Sequence, residues 1–388
     1  MKLNKVMFVG TGGGNDIFSC VLAAKALWRM GWRWEECMLA GVLSPFHHYE
    51  GMEDSGDGIL VARPEARRYV CRNDKTTRIG FIDAVVSKMG FEEEALAELN
   101  VLGVCQFSLQ EGSIGLAKNF KSLAEDGAFI VLVDVGGDIF YRGKKDPHVL
   151  SPMFDSIVLR AFVDSAAPGI LFEAGPGTDG EMEPEALEEA LTDVQAVSYE
   201  LDPEVVDEWE KLYEKWIAPV RTGRTVPTTI QAYRSEEEIL KLTYRARAHI
   251  GDTKLYHRFE QRIKTSLCKK FFLVDPRKIV NPFAVDCDSP LDWFLGTQVE
   301  QHPTNCEANL EYFRIGDRLF QFLTPSPLFP EEARNKLIDQ GLEDLEAGVC
   351  DVVLMFHDDW WNTSAWYVGA LTSINFFGVG LVAIEKRR

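Results

Sequence analysis

The 388-residue sequence has no CxxC pair, no HExxH and no uninterrupted apolar run of the roughly 18 residues that a membrane-spanning helix needs. Its eight cysteines are scattered at positions 20, 37, 71, 105, 268, 287, 306 and 350. Several lie in apolar runs, where a reduced thiol behaves as a small hydrophobe. A disulfide framework and a structural zinc are therefore not expected, and a reducing compartment is. The nearest approach to a spanning segment, GALTSINFFGVGLVAI near the C-terminus, is broken by Thr372, Ser373, Asn375 and three glycines. The first residues enter an apolar strand pattern directly, without the charged and apolar regions of a secretory leader. These absences lead to the expectation of a cytoplasmic protein with no membrane partner.

Positive charge is also scarce. Lysine and arginine number 41 against 60 aspartates and glutamates, for a net charge of -19. A nucleic-acid surface needs clustered cations to neutralise phosphates, so no nucleic-acid partner is expected and a small-molecule ligand is. Self-association is left open. With 46% hydrophobic and 26% charged residues the composition is globular, and the length favours two domains or one large α/β domain with an elaboration.

What is present is a repeated grammar of strand, glycine and acid. The apolar run Lys5–Val9 leads into Gly10-Thr-Gly12-Gly13-Gly14-Asn15-Asp16, followed by the amphipathic IFSCVLAAKALWRMG. A glycine-rich turn that opens a helix presents unpaired N–H groups and a positive dipole end, which favour a phosphate or carboxylate. The familiar forms of that loop are excluded. No GK[ST] follows, so the lysine and magnesium-binding hydroxyl of a P-loop are missing. A third glycine at dinucleotide spacing is absent, and the second strand ends in Val42-Leu43-Ser44 without an acid to grip a ribose. A carboxylate at Asp16 would repel a bare phosphate unless a cation bridged them, and Asn15 or Asp16 could equally cap the helix.

The grammar recurs in FIVLVDVGGD, with Gly136, Gly137 and Asp138, and in GILFEAGPGTDGE, with Asp179 and Glu181. Ligands of open α/β sheets bind beyond the carboxyl ends of the strands, so three such loops leaving parallel strands would line one crevice. Asp16, Asp138, Asp179 and Glu181 could there hold a magnesium ion, with Asp16 and Asp138 the expected ligands, or grip hydroxyls and amines. Asp138, Asp179 and Glu181 are the expected catalytic carboxylates. The positive charge nearest these motifs, in RPEARR with Arg67 and in RGKK with Arg142, could meet a ligand's phosphate or carboxylate.

The motifs GTGGGNDIFSC, DVGGDIFYRG followed by SPMFDSIVLRA, and GPGTDGE resemble an uncharacterised prokaryotic family, domain-of-unknown-function family 1152, over roughly residues 1–200. The resemblance implies a Rossmann-like α/β fold and a single pocket around Gly12, Gly13, Gly14, Asp16, Gly136, Gly137, Asp138, Asp155, Asp179 and Glu181. It implies no reaction.

Alternating short apolar and longer amphipathic runs give the same fold class: a mainly parallel Rossmann-like sheet with helices on both faces over 1–200. Expected strands are Val6–Val9, Met38–Val42, Val101–Phe107, Phe129–Val133 and Gly169–Phe172. Expected helices are Ile17–Met30, Ile82–Met89, Ile114–Ala124, Pro152–Asp164 and Pro184–Leu191. A charged helical connecting layer is expected over 201–265, including SEEEILKLTYRARAHI with a capping box from Ser235 to Glu238. An α/β portion over 266–388 carries a hairpin signal at Gly316-Asp317. His47 and His48 follow the second strand, and FHDDWWNTSAW could form an aromatic cover or a packing corner.

The composite expectation is a metabolic enzyme binding a phosphorylated or nucleotide-like ligand at the glycine and aspartate loops, with transferase or hydrolase chemistry assisted by magnesium. A metal-free lyase or cyclase acting on an amino acid or sugar acid is the alternative enzyme. A non-catalytic ligand sensor is the alternative outside enzymology.

Overall fold

Each strand of the central sheet serves two cores, and the alternation of its side chains shows how. In β1 (Lys2–Gly10), Met7 and Val9 point into one hydrophobic core while Val6 and Phe8 point into the other. The computed structural model describes residues 1–12, 16–43, 99–109, 111–146, 149, 152–218, 225–250, 253–288 and 293, together with the short strands 52–54, 59–62, 305–306, 312–315, 318–323, 352–356, 368–369 and 381–385.

After β1 come α1 (Asp16–Arg29), β2 (Arg33–Leu43), β3 (Met52–Asp54), β4 (Ile59–Ala62), β5 (Val101–Ser108), α2 (Gly112–Glu125), β6 (Ala128–Val135), α3 (Pro152–Ser165) and β7 (Gly169–Ala174). Then follow α4 (Pro184–Asp193), β8 (Val197–Glu200), α5 (Pro203–Leu212), α6 (Thr225–Arg234), β9 (Ile239–Ile250), β10 (Thr253–Lys264) and β11 (Lys270–Val274). The sheet order is β3-β4-β5-β2-β1-β6-β7-β11-β8. The five strands from β5 to β7 are parallel, and antiparallel strands flank them on both sides.

Helices α1 and α5 cover one face, where Phe18 stacks on Trp209 with ring centroids 5.9 Å apart. Helices α2 and α3 cover the other, with Phe120 packed between Phe107 and Phe162. This is the mainly parallel, two-faced α/β architecture expected from the sequence. The chain runs outward from β1 through β2 to β5, then returns to place β6 on the opposite side of β1. The gap between the carboxyl ends of β1 and β6 is thus the topological switch point of the sheet.

Two expectations are corrected. The layer over 201–265 is helical only as far as Arg234. Residues 239–250 and 253–264 are two long antiparallel strands joined in one hairpin register, from Ile239↔Lys264 to Ile250↔Thr253. The reason lies in the period: Leu240, Leu242, Tyr244, Ala246, Ala248 and Ile250 alternate with Lys241, Thr243, Arg245, Arg247 and His249, which is strand spacing. Ser235, expected to cap a helix, instead accepts a hydrogen bond from Glu237 N at 3.1 Å in the turn after α6. Nor is 266–388 separate from the core, because β11 inserts between β7 and β8. The hairpin signal at Gly316-Asp317 is flanked by antiparallel Tyr312–Ile315 and Arg318–Leu323 as expected. The helix expected at Ile82–Met89 lies outside the described residues.

Among the described residues no helix is long and apolar enough to cross a membrane. Cys20, Cys37, Cys105, Cys268 and Cys287 are buried, and burial pushes the thiols of Cys105 and Cys268 up to about 12.

Candidate functional site

The loops that leave β1, β6 and β7 are stitched together by their own backbones. Thr11 N donates to Val133 O at 3.0 Å, which ties the first loop to β6. Gly136 N donates to Ala174 O at 3.2 Å and Gly177 N to Gly136 O at 2.5 Å, which ties the loop after β6 to the loop after β7. Gly136 and Gly137 adopt φ of 139° and 103°, a region that side-chain-bearing residues avoid. A β-carbon at Gly136 would also come within 2.7 Å of Asp179 Oδ2, and one at Gly12 within 2.7 Å of Asp16 Oδ2 and 3.0 Å of Asp155 Oδ2. Glycine at these places leaves room for carboxylates from neighbouring loops.

Those carboxylates form a cluster. Asp134 and Glu173 are direct partners in the parallel register of β6 and β7, on the face covered by α3. The first turn of α3 brings in Asp155, and the first turn of α1 brings in Asp16. One oxygen each from Asp16, Asp134 and Asp155 lie within 4.8 Å of one another. Asp138 opens the 3-10 turn after β6, and Asp179 and Glu181 follow β7, with Asp179 Oδ1 accepting from Glu181 N at 3.0 Å. Burial is graded: Asp155 and Glu173 are fully buried, whereas Asp16, Asp138 and Asp179 keep 7–8% of their surface exposed and form the rim.

Asp16 serves both the loop and the helix. Its Oδ2 accepts from Gly12 N at 2.7 Å, closing the glycine loop, while its place in the first turn of α1 suits the positive end of the helix dipole.

Burial raises the carboxyls far from their ordinary range. Asp134 is pushed up to about 6 by burial, opposed by hydrogen bonds from its surroundings. Glu173 stands well above its usual value through burial and then the charge of Asp134 beside it. As two ionised groups, Glu173 and the inner oxygen of Asp134 would face each other with no donor. A proton retained on Glu173 and donated to Asp134 resolves that conflict. Asp138 is raised well above its usual value by burial and then by Asp155, Asp134, Glu181 and Asp179. Asp155 is raised likewise by burial and then by Asp134. Both oxygens of Asp155 lack a hydrogen-bond donor, since the nearby Thr11 hydroxyl donates to Val133 O at 3.2 Å.

The fold therefore brings Gly12, Asp16, Gly136, Gly137, Asp138, Asp155, Asp179 and Glu181 to one place. Arg142 goes elsewhere: its guanidinium pairs with Asp146 at 3.0 Å and Glu189 at 2.5 Å. Gly13, Gly14, Asn15, Arg67, His47, His48 and, after Phe356, the HDDWWNTSAW segment lie outside the described residues. Sequence reasoning overlooked Asp134 and Glu173 as members of the cluster. The signal was there: each is an acid near the end of an apolar strand, two residues before a glycine, in DVG and in EAG.

Residues 69–234 match the family described as Protein of unknown function (DUF1152). The match starts later and ends later than the motif resemblance, and it includes every acid of the cluster except Asp16. Neither a curated protein nor a solved structure matches the chain.

Proposed function

We propose that this chain, tied to the DUF1152 family through residues 69–234, is a cytoplasmic metabolic enzyme that binds a small phosphorylated or nucleotide-like ligand at the switch point between β1 and β6. The observation that carries this reading is the meeting of three glycine loops and their acids at the carboxyl ends of β1, β6 and β7. The glycines admit close approach of a ligand, and a divalent cation reconciles phosphate with carboxylate. Transferase or hydrolase chemistry follows from such a set, because both need a proton moved to or from an oxygen beside a neutralised phosphate. Asp138 is the residue for that transfer. It sits on the rim, and burial among other acids raises its carboxyl well above the ordinary carboxylate range, the direction that favours a general acid. Asp179 and Glu181, adjoining it from β7, would orient the ligand's hydroxyls.

The alternative, a metal-free enzyme gripping an amino acid by its amine and carboxylate, is less well supported. Its carboxylate-binding arginine would be Arg67 or Arg142; Arg142 is held by Asp146 and Glu189, and Arg67 lies outside the described residues.

The test is a thermal-shift screen of nucleotides, sugar phosphates and amino acids, with and without magnesium, on the parent and on Asp138→Asn. A phosphorylated compound should stabilise the parent in the presence of magnesium. Asp138→Asn should remain folded and lose ligand affinity or activity by about a hundredfold. An unchanged ligand-induced shift in the variant would make Asp138 structural, and stabilisation by amino acids alone would favour the alternative.

A further inference from the structure

The buried floor of the cluster poses a problem of its own. Asp155 is fully buried, both its oxygens lack a donor, and one of them lies close to oxygens of Asp16 and Asp134. Among the described residues no lysine or arginine pairs with Asp155, Asp134 or Glu173. An acid in this situation costs several kcal/mol unless it is neutralised or coordinated, so an unpartnered one at the floor of a rim-open cluster has a use.

We infer that Asp16, Asp134 and Asp155 form a site for one hard divalent cation, of the magnesium or manganese class. The three side chains come from the carboxyl-terminal part of a parallel strand and the first turns of two helices on its two faces. The three oxygens lie within 4.8 Å of one another, inside the span that one ion holding its oxygens at about 2.1 to 2.4 Å can bridge. Carboxylate oxygens alone select magnesium, manganese or calcium over zinc or copper. Glycine at position 12 is part of the design, because a β-carbon there would press on Asp16 Oδ2 and Asp155 Oδ2 together. Glu173 lies next to Asp134 in the β6–β7 register and backs that ligand from the neighbouring strand. Asp138, on the rim, is left for the ligand. The inference rests on the functional reading only for the use of the cation, which would bridge the acids to a phosphate.

The experiment titrates manganese(II) alone into the full chain, with no organic ligand, and follows free ion by electron paramagnetic resonance. One saturable site is expected, displaced by magnesium. Asp155→Asn and Asp134→Asn should each weaken it by about tenfold or more, and the exposed-acid control Glu204→Gln should not change it. Anomalous scattering from a manganese-soaked crystal of the parent should place the ion among Asp16, Asp134 and Asp155, which keeps the test decisive if a variant fails to fold. No saturable binding, unchanged binding in Asp155→Asn, or an ion located elsewhere would overturn the site. A manganese site without any phosphorylated ligand in the screen would uphold this inference and defeat the functional reading. No saturable manganese binding, together with a phosphorylated ligand bound equally well in a chelator, would do the reverse.

Discussion

At the scale of single residues, Gly136 shows how backbone and site are coupled. Its φ of 139° is strained for any side chain, and a β-carbon would meet Asp179 Oδ2 at 2.7 Å. Gly136→Ala should therefore carry two penalties, a backbone one of about 1 kcal/mol and a steric one that displaces Asp179. Chemical denaturation should report a loss of about 1–3 kcal/mol. Gly31, also at positive φ but with nothing within 4 Å of its would-be β-carbon, is the matched control: Gly31→Ala should show the backbone penalty alone. Equal losses at the two positions would mean that the contact with Asp179 yields without cost.

Among elements, α1 decides how the first loop is presented. It is buried along nearly its whole length, from Asp16 to Leu27, and so acts as a core helix between the sheet and α5 rather than as an amphipathic surface helix. Phe18 and Trp209 form its contact with α5, reinforced by Lys25, which is nearly buried and pairs with Glu208 at 2.5 Å. Phe18→Ala removes a fully buried ring in that layer and should cost about 3–5 kcal/mol in equilibrium unfolding. Because Phe18 is two residues beyond Asp16, the same substitution should also loosen manganese binding. A stability loss under about 1 kcal/mol would show that the α1–α5 layer repacks freely.

For the whole molecule, the buried acids make stability depend on pH in the opposite sense to ordinary salt-bridged carboxylates. Asp134, Asp138, Asp155 and Glu173 all have carboxyls raised in the folded chain, with Asp134 at about 6. Between the unfolded value of about 4 and the raised folded values, the native state binds more protons than the unfolded state, so the free energy of unfolding falls as pH rises. The stabilisation is fully present below about pH 4, is lost for Asp134 as pH passes about 6, and is lost for the other three as pH passes their own raised values. In chelator, the melting temperature should decline from about pH 5 to about pH 8. A bound divalent cation keeps its ligand carboxylates ionised, so magnesium or manganese should flatten or reverse that slope. A chelated protein whose melting temperature rises steadily over the same interval would contradict the buried, proton-holding state of the cluster.

The sequence by itself determined the parallel core, because apolar strands buried on both faces and amphipathic helices carry their periods in the chain, as in Phe129–Val133 and Pro152–Asp164. It also marked the loops, since glycines followed by acids at strand ends are local patterns. The hairpin of β9 and β10 is equally legible in its alternation of two, although its dense charge resembles that of a solvated helix. What only the tertiary structure decided is which acids meet. Asp134 and Glu173 face each other through the register of β6 and β7, and Asp155 reaches them because α3 packs on that same face. Register and face depend on pairings between segments tens of residues apart, and no local pattern encodes the partner. The fate of Arg142 was of the same kind. Its charge was visible, but its engagement with Glu189 depends on where α4 lands after β7. Local chemistry could name the donors and acceptors, and only the fold could say which of them would be left without water or a partner.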